Sequence, residues 1–389
     1  MAYLDLGEQP LANDFKDDPL EMACFPLGLQ LCLECWHSQL TVSVNPEILF
    51  RDYLYVSGTT QTLTDYFKWF SREVVAPVGS NLNILDIASN DGSLLEVLKE
   101  EGHVVLGIDP AANLVPLAAQ RGVATICDFW PGVIGGLLAP NFDLVIGMNV
   151  LAHVPDPVGF LSAIAKVLKP QARIFIQTSQ ANMVTNSEFD TAYHEHLSFF
   201  NTNSMKALVR RTGLHLVDAF HTPIHGTSYV WVLKKEEEGE SKRLVDMRRS
   251  EEENGVFRVE TYSAFRQKAE EIVRKTAEVV DQLRKDGYGI WGYGAAAKGN
   301  TFINYSGIEI DGIFDDNPLK QNLASPGGGV RVLHPSRLGD IEGKICLLVP
   351  AWNFLPEICR RVHAIRDHPS DLVLTYYPEV MVSHIADKI

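Results

Sequence analysis

The sequence contains no stretch approaching ~18 uninterrupted apolar residues, and its N-terminus has no basic segment leading into an apolar run. Neither a membrane-spanning helix nor a secretory leader is expected. Positive charge is in short supply: 34 Lys and Arg face 49 Asp and Glu, a formal net charge of -15. Such a surface repels nucleic-acid phosphates and anionic lipid on average, so neither is an expected partner. Cysteine is scarce as well. Six cysteines in 389 residues, with one pair at a motif-like spacing, exclude a disulfide scaffold and suit a reducing cytoplasm. The first strand-like run is followed neither by Gly-x-Gly-x-x-Gly nor by a phosphate-binding loop, so a pyrophosphate is not what that turn is shaped for.

What remains is an ordinary globular composition, 46% hydrophobic and 21% charged, in a chain long enough for two or three domains. The expected division is a small N-terminal segment over 1–75, an α/β domain over 76–235, a charged linker and helix over 236–286, and a second α/β domain over 287–389. In the first segment Cys32 and Cys35 form a Cys-x-x-Cys pair, the spacing that brings two thiolates to one tetrahedral zinc. The usual second pair is missing; only Cys24 and His37 lie near. Phe50 to Gly58, rich in aromatics and carrying Tyr53 and Tyr55, reads either as a lid or recognition loop or as a hydrophobic anchor.

Asn83 to Ala88 reads as a buried strand, followed by a small-residue turn and the helical pattern of Ser93 to Leu98. A strand delivering such a turn to a helix start makes a ligand crevice. A second run ends in Asp109 and Pro110, where an acid can accept hydrogen bonds from ribose hydroxyls. A third, over 123–129, ends in Asp128 and Phe129; a fourth, Phe142 to Val150, carries Asn149. A helix over about 157–169 and a strand over 172–178 continue the alternation.

After that fifth strand comes Thr191-Ala192-Tyr193-His194-Glu195-His196, the densest general acid/base cluster in the chain. Strand carboxyl ends face the crevice in such folds, which puts this segment where a substrate would sit. His225 and Gly226 precede another strand, and the glycine suggests a close backbone approach or a hairpin turn. In the second α/β domain the turn Gly292-Tyr293-Gly294-Ala295-Ala296-Ala297-Lys298 offers amides and a cation to an anion such as a diphosphate.

The first α/β domain resembles the class I methyltransferases that use S-adenosylmethionine (SAM). That resemblance implies cofactor contacts at Asp86, Ala88, Asn90, Asp91, Gly92, Asp109, Pro110, Asp128, Phe129 and Asn149. The whole chain resembles the nucleotide-sugar C-methyltransferases of deoxysugar biosynthesis. The resemblance is carried by Leu4-Asp5-Leu6-Gly7-x-x-Pro10-Leu11-Ala12-Asn13, Tyr193 to His196, His225-Gly226, Gly292 to Thr301, Asp315-Asp316-Asn317-Pro318 and Ala351-Trp352-Asn353-Phe354. It implies two Rossmann-like doubly wound sheets behind a zinc-binding type of N-terminal segment, and C-methylation of a dTDP-linked 4-keto-deoxysugar beside its ketone. The resemblance implies His196 as the base or its close partner, with Tyr193 and Glu195 beside it; the expected mechanism has His196 take the proton, tuned by Glu195, while Tyr193 and His153 or His225 donate to the enolate oxygen. Tyr53, Tyr55, Gly294, Ala296, Lys298, Asn300, Asp316 and Asn317 are the candidate substrate contacts. Because only three residues precede Leu4, the upstream Cys-x-x-Cys of that family is absent here, so a degenerate zinc site or a shortened N-terminus is expected. Two other readings compete, an NAD-dependent nucleotide-sugar oxidoreductase using the Gly292 turn and a non-catalytic nucleotide-sugar-binding protein.

Overall fold

The computed structural model describes residues 1–18, 22–51, 53, 55–59, 61–135, 141–179 and 183–389, with backbone only for Thr59, Ile134, Gly135, His225 and Asn353. At its centre is a seven-stranded sheet. Asn83–Ile87 lies in the middle, flanked by Val104–Ile108 and Thr125–Ile126 on one side and by Phe142–Met148 and Leu168–Thr178 on the other, all parallel. Ser228–Lys234 and His215–Thr222 complete it antiparallel. Ile84, Leu85 and Ile146 are fully buried, as a parallel strand covered on both faces by helices requires. The strand order reverses between Asn83–Ile87 and Phe142–Met148, so the ligand crevice opens at their carboxyl ends.

The second sheet, in the C-terminal domain, has six strands with Gly289–Tyr293 between Gly312–Phe314 and Ile345–Leu348, and it repeats that reversal. The fold class is therefore α/β, with two doubly wound sheets. A third, four-stranded sheet is built from Ala2–Pro10, Cys24–Leu31 and Ser38–Leu40, and its last strand is Ser198–Phe199. Thus the segment just after His196 belongs to the N-terminal sheet, with Gln39 opposite Ser198 and Ser38 opposite Phe199. One continuous core then joins Tyr3 and Leu29 of this sheet to Tyr262 and Phe265 of the long helix and to Phe302 and Tyr376 of the C-terminal domain.

Several expected elements differ. The charged stretch read as a solvated linker contains the helix Lys242–Glu253, because Leu244 and Met247 bury one edge of it and Glu251 turns inward. That carboxylate accepts from the Thr202 amide and hydroxyl and from the Tyr229 hydroxyl. The following helix runs over Val259–Lys285, beyond the Phe265 to Leu283 span of its helical apolar pattern. The third strand of the central sheet shrinks to Thr125–Ile126, and the fifth begins earlier, at Leu168. Among the described residues no helix is long and apolar enough to cross a membrane.

Candidate active site

A cavity of about 490 Å³ occupies the crevice of the central sheet. Its wall includes Asp86, Ala88, Asn90, Asp91, Asp109, Pro110, Asp128, Phe129 and Asn149, and Tyr53, Tyr55 and His153 face it from the other side. Three of these residues, Ala88, Asn90 and Asn149, adopt positive φ angles of 62°, 52° and 56°. Strain of this kind persists only where the surroundings enforce it, and it clusters at binding sites. Gly92 is not on the wall. It starts the helix Ser93–Glu100 at φ 76°, and a Cβ there would meet the Ala118 Cβ at 3.2 Å.

Asp86 Oδ1 and Ser89 Oγ, buried polar atoms of the cavity wall, have no hydrogen-bond partner among the described residues. A buried polar atom left alone is costly, so both fit a polar ligand such as the amino-acid part of SAM. Burial, reinforced by the neighbouring Asp109, pushes the Asp86 carboxyl well above its ordinary range. Asp109 is fixed by accepting from the Asn90 and Ala111 amides, each at 2.8 Å. On the far side the Arg51 guanidinium lies 4.8 Å above the Phe129 ring.

The aromatic stretch is strapped across this crevice by side chains of the cofactor loops. Asn113 accepts from the Tyr53 amide at 3.2 Å and donates to the Tyr53 carbonyl at 2.8 Å. Asn90 accepts from the Ser57 amide at 2.9 Å and donates to the Tyr55 carbonyl at 3.1 Å. Asp91 accepts from the Gly58 amide at 3.1 Å and is paired with Arg121 at 3.0 Å. Asn90 and Asp91 therefore serve the strap as well as facing the cavity.

The acid/base cluster adjoins the cavity behind Tyr53 and His153. It forms a turn closed by the His196 amide on the Tyr193 carbonyl at 2.8 Å, which brings both rings to one side with centroids 3.9 Å apart. His196 Nδ1 lies 2.8 Å from the Thr191 carbonyl, an acceptor only, so Nδ1 carries the proton. When the ring is neutral, Nε2 is then an acceptor, and the Tyr193 hydroxyl, 2.8 Å away, donates to it. Tyr193 is the more exposed of the two; His196 is buried behind it. Glu195, 4% exposed, accepts from Asn13 Nδ2 at 2.6 Å and from the Tyr53 hydroxyl at 3.1 Å. Burial raises its carboxyl, and these two donors together with Lys320 oppose the rise. His153 sits with its ring 5.1 Å from that of His196 and stacks on Phe50; its buried Nε2 has no partner among the described residues, and burial lowers its pKa to about 4. His194 is turned away, packed against Phe25. The side chain of His225 lies outside the described residues. Gly226 has φ 93° and nothing within 4 Å of a Cβ, so its backbone angle, not a close approach, requires glycine.

In the C-terminal domain the turn after Gly289–Tyr293 is locked internally. The Ala295 amide donates to Asp315 at 2.7 Å, and the Ala295 carbonyl accepts from Lys320 at 2.8 Å. One of the amides expected to bind an anion is thus already used. Gly294 and Ala296 belong to this turn, and Asn317 donates its own amide to Asp315. Lys298 lies 5.4 Å above the Trp352 ring, and Asp316 accepts from Tyr293 and Arg361. Asn300 is buried and donates to the Ala12 carbonyl at 2.8 Å, a clasp on the N-terminal arm.

Cys32 and Cys35 share the knuckle before Ser38–Leu40. Among the described residues no group of three or more His, Cys, Asp or Glu could hold a metal ion. His37, the nearest imidazole, points toward Ser198 Oγ at 3.2 Å. The residues present do not fit a tetrahedral zinc.

Residues 223–376 match the family described as C-methyltransferase C-terminal domain, residues 61–219 a methyltransferase domain, and residues 2–50 a "Putative zinc binding domain". The chain is 29% identical over 372 residues to the C-methyltransferase NovU of Streptomyces niveus, spanning 92% of this chain and 88% of that protein. These matches, together with the likeness to NovU along nearly the whole chain, support a SAM-dependent C-methyltransferase. Its central domain is also 31% identical over 155 residues to a ubiquinone biosynthesis O-methyltransferase of Xylella fastidiosa, covering 36% of this chain and 63% of that protein. Among solved structures, magnesium protoporphyrin IX methyltransferase (ChlM) from Synechocystis PCC 6803 with bound SAM has a TM-score of 0.34 at 17% identity, covering 45% of this chain and 79% of that one. SAM is the cofactor of this C-methyltransferase. Sequence reasoning misses four side chains as site residues: Ser89 on the cavity wall, Asn113 on the Tyr53 backbone, and Asn13 and Lys320 beside Glu195. Asn13 closes the Leu4 to Asn13 motif, Ser89 opens the turn after the first strand and Lys320 follows the Asp315-Asp316 strand end, whereas Asn113 carries no local signal.

Proposed function

We propose that this C-methyltransferase acts on a nucleotide-linked 4-keto-deoxysugar, with dTDP the expected nucleotide, at the carbon beside the ketone. NovU, a C-methyltransferase matched over nearly its full length, supports a substrate of this class. A carbon beside a carbonyl is acidic enough to be ionised by a positioned base, and SAM supplies an electrophilic methyl group to the enolate carbon.

The observation that carries the reading is the ordered pair Tyr193 and His196. Because Nε2 accepts from the Tyr193 hydroxyl, His196 reaches the substrate through Tyr193. The phenol oxygen takes the proton from carbon while its own proton moves to Nε2. Burial and the neighbouring Glu195 push the Tyr193 phenol well up, so a free phenolate is disfavoured and the two transfers must be coupled. The Thr191 carbonyl then holds the resulting imidazolium. His153, neutral near pH 7 and with Nε2 unpartnered, is placed to meet the enolate oxygen or another polar substrate atom. Tyr53, anchored at its backbone to the cofactor side and at its hydroxyl to Glu195, aligns the two halves of the site.

The test is incubation with methyl-labelled SAM and a panel of dTDP-, UDP- and GDP-linked 4-keto-deoxysugars, with products analysed by mass spectrometry and NMR. A labelled methyl on the carbon next to the ketone supports the reading; label on oxygen, or none with any member, contradicts it.

A further inference from the structure

The N-terminal arm and the catalytic carboxylate are 182 residues apart in sequence, yet Asn13 Nδ2 donates to Glu195 Oε1 at 2.6 Å. The arm has little freedom to move. On one side of Asn13, the Ala12 carbonyl accepts from Asn300 of the C-terminal domain at 2.8 Å. On the other, Phe15 is buried among Ala295, Ile313 and Val332, and the Lys320 ammonium lies 5.0 Å from its ring. Lys16 and Ala324 then exchange backbone hydrogen bonds at 2.7 and 3.4 Å. Both flanks of Asn13 are thus fastened to the C-terminal domain while its amide points at the segment carrying Tyr193 and His196.

We propose that Asn13 is a positioning residue, which fixes the orientation and charge of Glu195 and makes both depend on docking of the arm to the C-terminal domain. This rests on the reading that Glu195 serves the methyl-transfer site. A buried carboxylate with two oxygens and two neutral donors is aligned only while both donors remain. Tyr53 supplies the second and is itself part of the strap over the cofactor crevice. The charged or titratable groups facing Glu195 are Tyr53, Tyr193 and Lys320. Asn13 contributes a donor and no charge, so replacing it with the isosteric Asp inverts its effect without changing volume.

The direct test is a pH titration of the full-length protein followed by difference infrared spectroscopy of the carboxylic acid band, with Glu195→Gln identifying the band. Asn13→Ala should raise the Glu195 titration midpoint by about one to two pH units, the size of a lost hydrogen bond to a charged group. Asn13→Asp should raise it further by repulsion. An unchanged midpoint in both variants overturns the proposal. With dTDP-4-keto-6-deoxyglucose as acceptor and S-adenosylhomocysteine formation as readout, both variants should lose kcat while the KM for SAM stays constant. Asn13→Asp should regain activity relative to the native enzyme as pH falls, because a proton shared with Glu195 restores a donor. A pH profile parallel to that of the native enzyme overturns the positioning role. If Glu195→Gln keeps native turnover, Glu195 does not serve the reaction and both the reading and the positioning role fail, whereas the infrared midpoints still decide whether Asn13 controls the carboxylate.

Discussion

The Tyr193 hydroxyl donates to His196 Nε2 because the other ring nitrogen is committed to the Thr191 carbonyl, both at 2.8 Å. A single backbone oxygen therefore decides which imidazole nitrogen can accept a proton. In the proposed mechanism, a base at position 196 therefore works through a phenol at position 193.

Tyr193→Phe keeps the ring and removes the hydroxyl that, in the proposed mechanism, joins His196 to substrate. Turnover should fall by roughly 10²- to 10⁴-fold, the usual contribution of positioned general acid/base catalysis. Affinity for SAM, measured calorimetrically, should hold, since Tyr193 is not on the wall of the cofactor cavity. Native turnover in this variant would remove Tyr193 from the proton path.

The strap should report on the cofactor crevice. Asn113→Ala deletes two hydrogen bonds to the Tyr53 backbone. At about 0.5–1.5 kcal/mol for each bond, SAM binding should weaken by up to roughly 100-fold if ordering of the strap is fully coupled to the cofactor. Titration calorimetry measures it, and an unchanged dissociation constant would show that the strap closes independently.

His37 and His153 are each pushed down by burial to about 4 from an ordinary value of 6.5. Between those values the unfolded chain binds more protons than the folded one, so the stability contributed by the two neutral rings is complete above pH 6.5 and is lost as pH falls toward 4. Buried carboxyls such as Asp86 and Glu251, shifted upward, act in the opposite sense. The comparison must therefore be between variants. Replacing both histidines by Gln should flatten the fall in unfolding temperature between pH 6.5 and 4 relative to the native protein; equal slopes would contradict the assignment.

Metal removal offers a further check. With no third ligand beside Cys32 and Cys35 among the described residues, a chelator should leave the unfolding temperature unchanged. Cys32→Ser with Cys35→Ser should do the same. A chelator-induced loss of several degrees would mean that a zinc is held after all.

Much of the central sheet was legible because its strands are short apolar runs punctuated by small residues, as in Asn83 to Gly92. The order of acids at strand ends led to the cavity wall, with Gly92 the exception because its φ serves a helix start. The helix Lys242–Glu253 was hidden by its charges: Leu244 and Met247 alone make too thin an apolar stripe, and Glu251 is buried through partners far away in sequence. Long-range pairings were equally invisible. Nothing local tells Ser198 that it will lie beside Gln39, or Asn13 that it will meet Glu195. The C-terminal Gly-x-Gly turn resembled an anion site because its use of the Ala295 amide by Asp315 depends on tertiary structure.

The most direct measurement is solvent-deuterium exchange at the carbon beside the ketone of a nucleotide-linked 4-keto-deoxysugar, followed by NMR without SAM. The native enzyme should incorporate deuterium there, and Tyr193→Phe and His196→Ala should not. Exchange at the native rate in both variants would contradict the central claim that Tyr193 and His196 together remove the proton.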